Sequence, residues 1–123
     1  MPTVFISNVA RDKDYTPAAK YGAIRAITRG NFPIFKTNRL IEEIIEPLLE
    51  SNDDDYLVLS GSSIICALCV ALWLQMHDNL KVLLHDRASN SYVERHLKRS
   101  ELRLRIEQVS DQLRKRGLVR RDT

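Results

Sequence analysis

The sequence predicts a small three-layer α/β fold of Rossmann-like character, with a mostly parallel sheet, an antiparallel edge strand and a basic amphipathic C-terminal helix. Three observations predict it. Short β-rich runs alternate with helical patterns, the order that a parallel sheet and its crossovers require. Those runs are apolar rather than two-faced, as strands covered on both sides are. The last two strands are joined by a tight polar turn, which only antiparallel neighbours allow. At 123 residues there is room for one such core and not for two. The chain divides into an α/β domain over 1–98 and a basic helix and tail over 99–123, packed on that domain or on a partner.

Each element has its own signal. Thr3-Val4-Phe5-Ile6-Ser7 reads as a buried first strand, with Asn8 as its turn residue. Thr16-Pro17 opens a short helix, with proline where its missing N–H is harmless, and Gly22 stops it. Ala23–Thr28 reads as a second strand, although its small residues also allow the helix to continue. Gly30-Asn31-Phe32-Pro33 is a turn cluster. Thr37 or Asn38 then caps a helix whose apolar residues, Leu40, Ile41, Ile44, Ile45, Leu48 and Leu49, form one face. Glu42 and Glu43 fall in its first turns, and Pro47 is expected to kink the helix or end its regular part early. Asp53-Asp54-Asp55 reads as an exposed turn.

Tyr56–Leu59 is a strand-length apolar run, and Ser60-Gly61-Ser62-Ser63 leads from it into a helix over Ile64–His77. That helix has few polar side chains on any face, so it is expected to be buried nearly all round. Leu80–Leu84, a turn at Arg87–Asn90, and Ser91–Leu97 form a hairpin. The last helix runs from a cap at Ser100 to about Arg116, with Gly117 as its stop.

Composition excludes several classes. Hydrophobic residues at 44% and charged residues at 28% exclude a disordered chain. The only cysteines, Cys66 and Cys69, sit three apart in an apolar run, too few for a disulfide framework or a thiolate zinc site. They read as inert packing residues. No apolar run reaches the length of a membrane span, and the expected location is the cytoplasm. No cofactor or metal is expected. The net charge is +3, but residues 1–78 carry −3 and residues 79–123 carry +6. That asymmetry points to an anionic partner for the C-terminal part, unless it is simply a solvated helix face.

Two surfaces stand out as candidates. In a parallel sheet the strand carboxyl ends share one edge, where ligands bind. That edge receives Asn8, Arg29, Ser60, Gly61, Ser62 and Ser63, enough to hold a nucleotide or phosphate, with His85 as the one acid or base suited to neutral pH. The plainer reading makes Gly61 a turn and Ser62 or Ser63 a helix cap. The stretch has neither the P-loop lysine nor a dinucleotide fingerprint. His85-Asp86 is a poor relay, because adjacent strand residues face opposite ways, and Asp86 reads as a turn residue. Asp14-Tyr15 belongs to a ligand lid or to a docking turn whose tyrosines anchor it.

The second surface is the last helix. Leu102, Ile106, Val109 and Leu113 are spaced 4, 3 and 4, an a/d seam. Arg99, Arg103, Arg105, Arg114, Lys115 and Arg116 surround it, and Arg120 and Arg121 extend the charge. The seam either covers the parent sheet or meets another protein. We therefore expect a non-catalytic interaction or assembly module that self-associates or binds an acidic protein, such as the Glu42–Glu50 helix and Asp53–Asp55 of a neighbouring copy. Nucleic acid is the less favoured partner, because no aromatic residues interleave the tail. A nucleotide- or phosphate-binding protein with its site at the strand carboxyl ends, hydrolytic or not, is the alternative. Small size and a basic tail are common among accessory proteins of viruses and mobile elements.

Overall fold

The computed structural model describes residues 1–31 and 36–117. Phe32 and Pro33 of the expected turn, and Arg120 and Arg121, lie outside the described residues. The strands are Thr3–Val9 (β1), Ala23–Arg29 (β2), Tyr56–Val58 (β3), Asn79–Asp86 (β4) and Ser91–Lys98 (β5). They form one sheet in the order β2-β1-β3-β4-β5, parallel except for the antiparallel β4–β5 edge pair. The helices are Thr37–Leu48 (α1), Ser63–Met76 (α2) and Arg99–Lys115 (α3), with a 3-10 turn at Thr16–Tyr21. This is the expected α/β architecture, and Ala23–Arg29 is strand.

Alternation of side chains along the strands builds a core on each face. On one face Phe5, Leu57, Leu80 and Val82 meet Leu40, Ile44 and Leu48 of α1 and Ile65, Cys69 and Trp73 of α2. Trp73 stands edge-on to Phe5, centroids 5.9 Å apart, and its indole N–H donates to the Asn79 carbonyl at 2.9 Å. Such a ring buries its polar atom only with an acceptor in reach. On the other face Val4, Ile6, Val58, Leu83 and Tyr92 pack under Tyr15 and Ala18.

Several local expectations are corrected. α2 is not buried all round. Ile65, Cys69 and Trp73 form its one fully buried stripe, while Ile64, Ala67 and Ala71 are exposed, because no further layer lies over the helix. α1 begins at Thr37 itself, so its cap lies one residue earlier than expected: Lys36 is the N-cap and no side chain caps the helix. Glu42 and Glu43 lie beyond its first turn. Pro47 sits in the last turn, and the helix ends one residue later. α3 starts at Arg99 with Lys98 as N-cap, so Ser100 is inside the helix.

The acidic turn is only partly a surface. Asp55 is buried, and its carboxylate accepts the Thr3 N–H at 2.8 Å and the Asn52 N–H at 2.7 Å. A buried carboxylate that satisfies two backbone donors ties the start of β1 to the turn before β3. Replacing it leaves both donors unsatisfied, at about 1–3 kcal/mol each. Asp55→Ala is therefore expected to lower the melting temperature by roughly 8 °C or more, at about 4 °C per kcal/mol for a domain of this size. Asp54→Ala, which removes no such bond, is expected to stay within about 0.5 kcal/mol of the parent. Thermal melts followed by circular dichroism check both.

Candidate functional site

The strand carboxyl ends converge as expected, and their polar groups bond mainly to one another. Ser7 is fully buried; its hydroxyl donates to the Ser60 carbonyl at 2.5 Å and accepts the Ser60 N–H at 2.7 Å. The Tyr15 hydroxyl accepts the Ala10 N–H at 3.0 Å, donates towards the Asn8 carbonyl at 3.3 Å and shares a 2.8 Å bond with the Ser60 hydroxyl. Thr28 reaches the Asn8 side-chain oxygen at 2.8 Å, and the Asn8 amide donates to the Gly30 carbonyl at 3.1 Å. Tyr15 is thus the anchor of a docked turn. The Asp14 carboxylate caps that turn through the Thr16 hydroxyl and N–H, and those bonds hold its pKa below the usual carboxylate value.

The expected ligand residues divide into three groups. Asn8 and Ser60 belong to this buried network. Ser62 is the N-cap of α2, accepting the Ile65 N–H at 3.4 Å, and Ser63 is the exposed first residue of the helix. Arg29 is exposed at the end of β2 and borders an open cleft with Arg11, Lys13 and Gly30. An adjoining cleft of about 580 Å³ is lined by Asn8, Arg11, Asp12, Lys13, Gly30 and Asn31. Sequence reasoning missed Arg11 and Lys13, which belong to no motif. Their signal was position alone, directly after the first strand.

His85 is exposed at the far end of β4, 3.1 Å from the Asn90 side-chain oxygen, its ring tilted against Tyr92 with centroids 5.2 Å apart. Asp86 serves the hairpin, accepting the Ala88 N–H at 3.1 Å and the Ser89 hydroxyl at 3.0 Å. The Tyr92 hydroxyl is buried with no hydrogen-bond partner among the described residues. Burial, with Tyr15 and Asp14 nearby, raises its pKa and keeps it neutral. Burial also pushes the Cys69 thiol up to about 12, which makes it inert at neutral pH. Among the described residues no cluster of His, Cys, Asp or Glu fits a metal ion, and no helix is long and apolar enough to cross a membrane.

Gly61 shapes the junction between sheet and α2. Its φ is +97°, and a Cβ there would stand 2.6 Å from the Asn8 Cβ. Gly30 also has a positive φ, +60°, but open space around it. Both Gly→Ala changes incur the left-handed penalty of about 1–2 kcal/mol. Only Gly61→Ala also pushes a side chain into Asn8. It is expected to be the more destabilising of the two by at least about 1 kcal/mol, as read from paired denaturant titrations.

α3 is the other candidate surface. None of its residues is buried, and Leu102, Ile106 and Val109 of the seam are 41%, 66% and 50% exposed. Leu113 is half-buried. A shallow apolar groove lies on the seam between Arg105, Ile106, Val109 and Ser110. The seam does not cover the parent sheet. Its base, by contrast, is firmly held. The Arg99 N–H donates to the Asp78 carbonyl at 2.8 Å, and the Ser100 N–H and hydroxyl donate to the two Asp78 carboxylate oxygens at 2.9 and 3.0 Å. The Arg99 guanidinium reaches the Leu74 carbonyl at 2.5 Å. Asp78 therefore caps the first turn of α3 from the end of α2, a role that a lone aspartate after a helix does not announce.

Comparison with known proteins gives one family. The family of phage Pam3 gp32-like proteins matches residues 2–99, most of the chain, and the chain belongs to that family. The match covers the sheet and both helices packed on it, and ends where α3 begins. No curated protein and no solved structure matches the chain.

Proposed function

We propose that this phage Pam3 gp32-like protein is a non-catalytic interaction module that self-associates or binds an acidic protein through α3. The observation that carries the reading is the exposure of an a/d seam along a helix of 17 residues with no buried residue. Most of the stability of a helix in a protein comes from packing an apolar face against something. The strand ends lend support, since their hydroxyls bond to one another in the interior.

If α3 serves a partner and not its own core, removing it leaves the domain intact. A chain ending at Glu101 keeps Arg99 and Ser100 on Asp78, and its melting temperature is expected within about 2 °C of the full chain at a concentration where both are monomeric. Its association, read by light scattering, is expected to be lost. A collapse in stability on truncation would place the seam in the protein's own core and end this reading. So would unchanged association.

A second reading has its own observation: Arg11, Lys13 and Arg29 border the open clefts at the strand ends, where an anion such as a nucleotide phosphate would be attracted. A phosphate ligand at 100 times its dissociation constant stabilises by about 2.7 kcal/mol. A thermal-shift series with nucleotides, cyclic nucleotides and inorganic phosphate tests it; melting temperatures that do not move remove it.

A further inference from the structure

The charges of α3 are mixed along its length, Arg99, Glu101, Arg103, Arg105, Glu107 and Asp111 preceding a basic last turn. Its first turn holds Glu101 and rests on the Asp78 carboxylate, while its last turn holds Arg114 and Lys115, followed by Arg116. The sheet edge from which α3 departs carries acids as well, beside Lys81 and Lys98. Asp53 accepts from the backbone and side chain of Asn79, the residue of β4 paired with Lys98, and Asp53 to Asp55 line an open cleft of about 480 Å³ there. The bonds from Asn79 hold the Asp53 pKa below its usual value, so it is charged at neutral pH. One end of the helix thus sits on an acidic edge. The other ends in cations about 25 Å away.

We infer that the protein forms a two-fold dimer in which two α3 helices pair antiparallel, seam to seam, each basic end meeting the acidic edge of the other copy. This rests on the reading of α3 as the binding helix and adds what covers it. The register follows from the spacing. A two-fold axis between Glu107 and Gln108 sets Ile106 against Val109 of the second copy and Leu102 against Leu113, in both directions. It places Arg105 by Gln112 and Arg103 by Ser110, so these flanking cations meet neutral partners. It sets Glu101 level with Arg114 and Arg116 level with Arg99, whose guanidinium already lies by the Asp78 carboxylate, and it opposes the two helix dipoles.

Parallel pairing fails on two counts. It stacks Arg114, Lys115 and Arg116 of one helix on the same residues of the other. It also brings both sheet domains to the same end, on helices 8–10 Å apart, although a domain of this size has a radius of gyration of about 13 Å. Antiparallel pairing holds the domains at opposite ends. A helix pair of about three turns lies at the small end of specific interfaces, so the ionic contacts carry part of the affinity and association weakens with salt.

The test uses full-length chains and a pair of substitutions at exposed positions. In the antiparallel register position 106 faces position 109, so Ile106→Lys in one chain meets Val109→Glu in the other. Multi-angle light scattering is expected to give twice the 14.2 kDa chain mass for the parent protein. Each variant alone is expected at the chain mass, with an unchanged sheet signal by circular dichroism, and an equimolar mixture is expected to return to the dimer mass. A dimer that persists in either variant alone overturns the proposal. So does a mixture that stays monomeric, which is the outcome a parallel pair would give. A monomeric parent also overturns it, and amide hydrogen exchange then separates the two levels. Fast exchange along α3 leaves a helix exposed for a different protein, whereas strong protection in the monomer means that α3 folds on its own domain and the reading beneath falls too.

Discussion

Asp78 decides where α3 points. β5 ends at Lys98 and the helix begins at the next residue, with no loop to turn the chain back over the sheet. Connections that return a helix onto its own sheet normally use two or more loop residues. Here the first turn is pinned instead. The Asp78 carboxylate holds the Ser100 N–H and hydroxyl, and the Arg99 guanidinium lies on the Leu74 carbonyl and 3.8 Å from the same carboxylate. A capped and pinned first turn gives the helix a fixed direction away from the domain. Everything distinctive about the surface follows: the exposed seam, the cations held at a distance, and the uncovered outer side chains Leu84, Val93 and Leu97 of the edge hairpin.

The strand-end edge shows the opposite logic. In open parallel sheets this edge is the usual ligand site because backbone and polar side chains converge there without internal partners. In this protein the convergence is closed from within. Ser7, Asn8, Tyr15, Thr28 and Ser60 bond to each other and to nearby carbonyls. Gly61 allows Asn8 to approach the start of α2. A fully bonded polar network fixes the relative position of β1, β2 and the β3–α2 turn, since any shift would leave a buried group unsatisfied. What stays open is the rim, where Arg11, Lys13 and Arg29 lie outside the network.

The fold was legible because its signals are local. Apolar strands, the Pro17 start, the Gly22 stop and the Asp86 hairpin turn each specify their own few residues, and the alternation of elements specifies the sheet. The misreadings involve residues whose role depends on a distant partner. Asp55 looks like one third of a solvated acidic run until the Thr3 N–H arrives from 52 residues away. α2 is apolar on every face, yet apolarity alone does not say whether a covering layer exists, and none lies over Ile64, Ala67 and Ala71. Of the candidate site, the seam of α3 was visible as spacing. Its exposure was not, because the same spacing serves a helix docked on its own sheet. Arg11 and Lys13 carry no pattern at all; only the folded edge brings them beside Arg29.

The division of charge along the chain now has a spatial meaning. The acids Asp53, Asp54 and Asp78 gather at the edge where α3 departs, and the bases Arg114, Lys115 and Arg116 gather at the tip of that helix. Within one molecule the two groups stand at opposite ends of a rigid helix about 25 Å long, beyond the Debye length of about 8 Å at physiological salt. Within one chain they therefore do little for each other. Opposite charges kept this far apart by a pinned helix are left free to meet a charged surface of another molecule. The stability of this protein resides in two apolar layers on one sheet. Its longest helix is one that those layers leave uncovered.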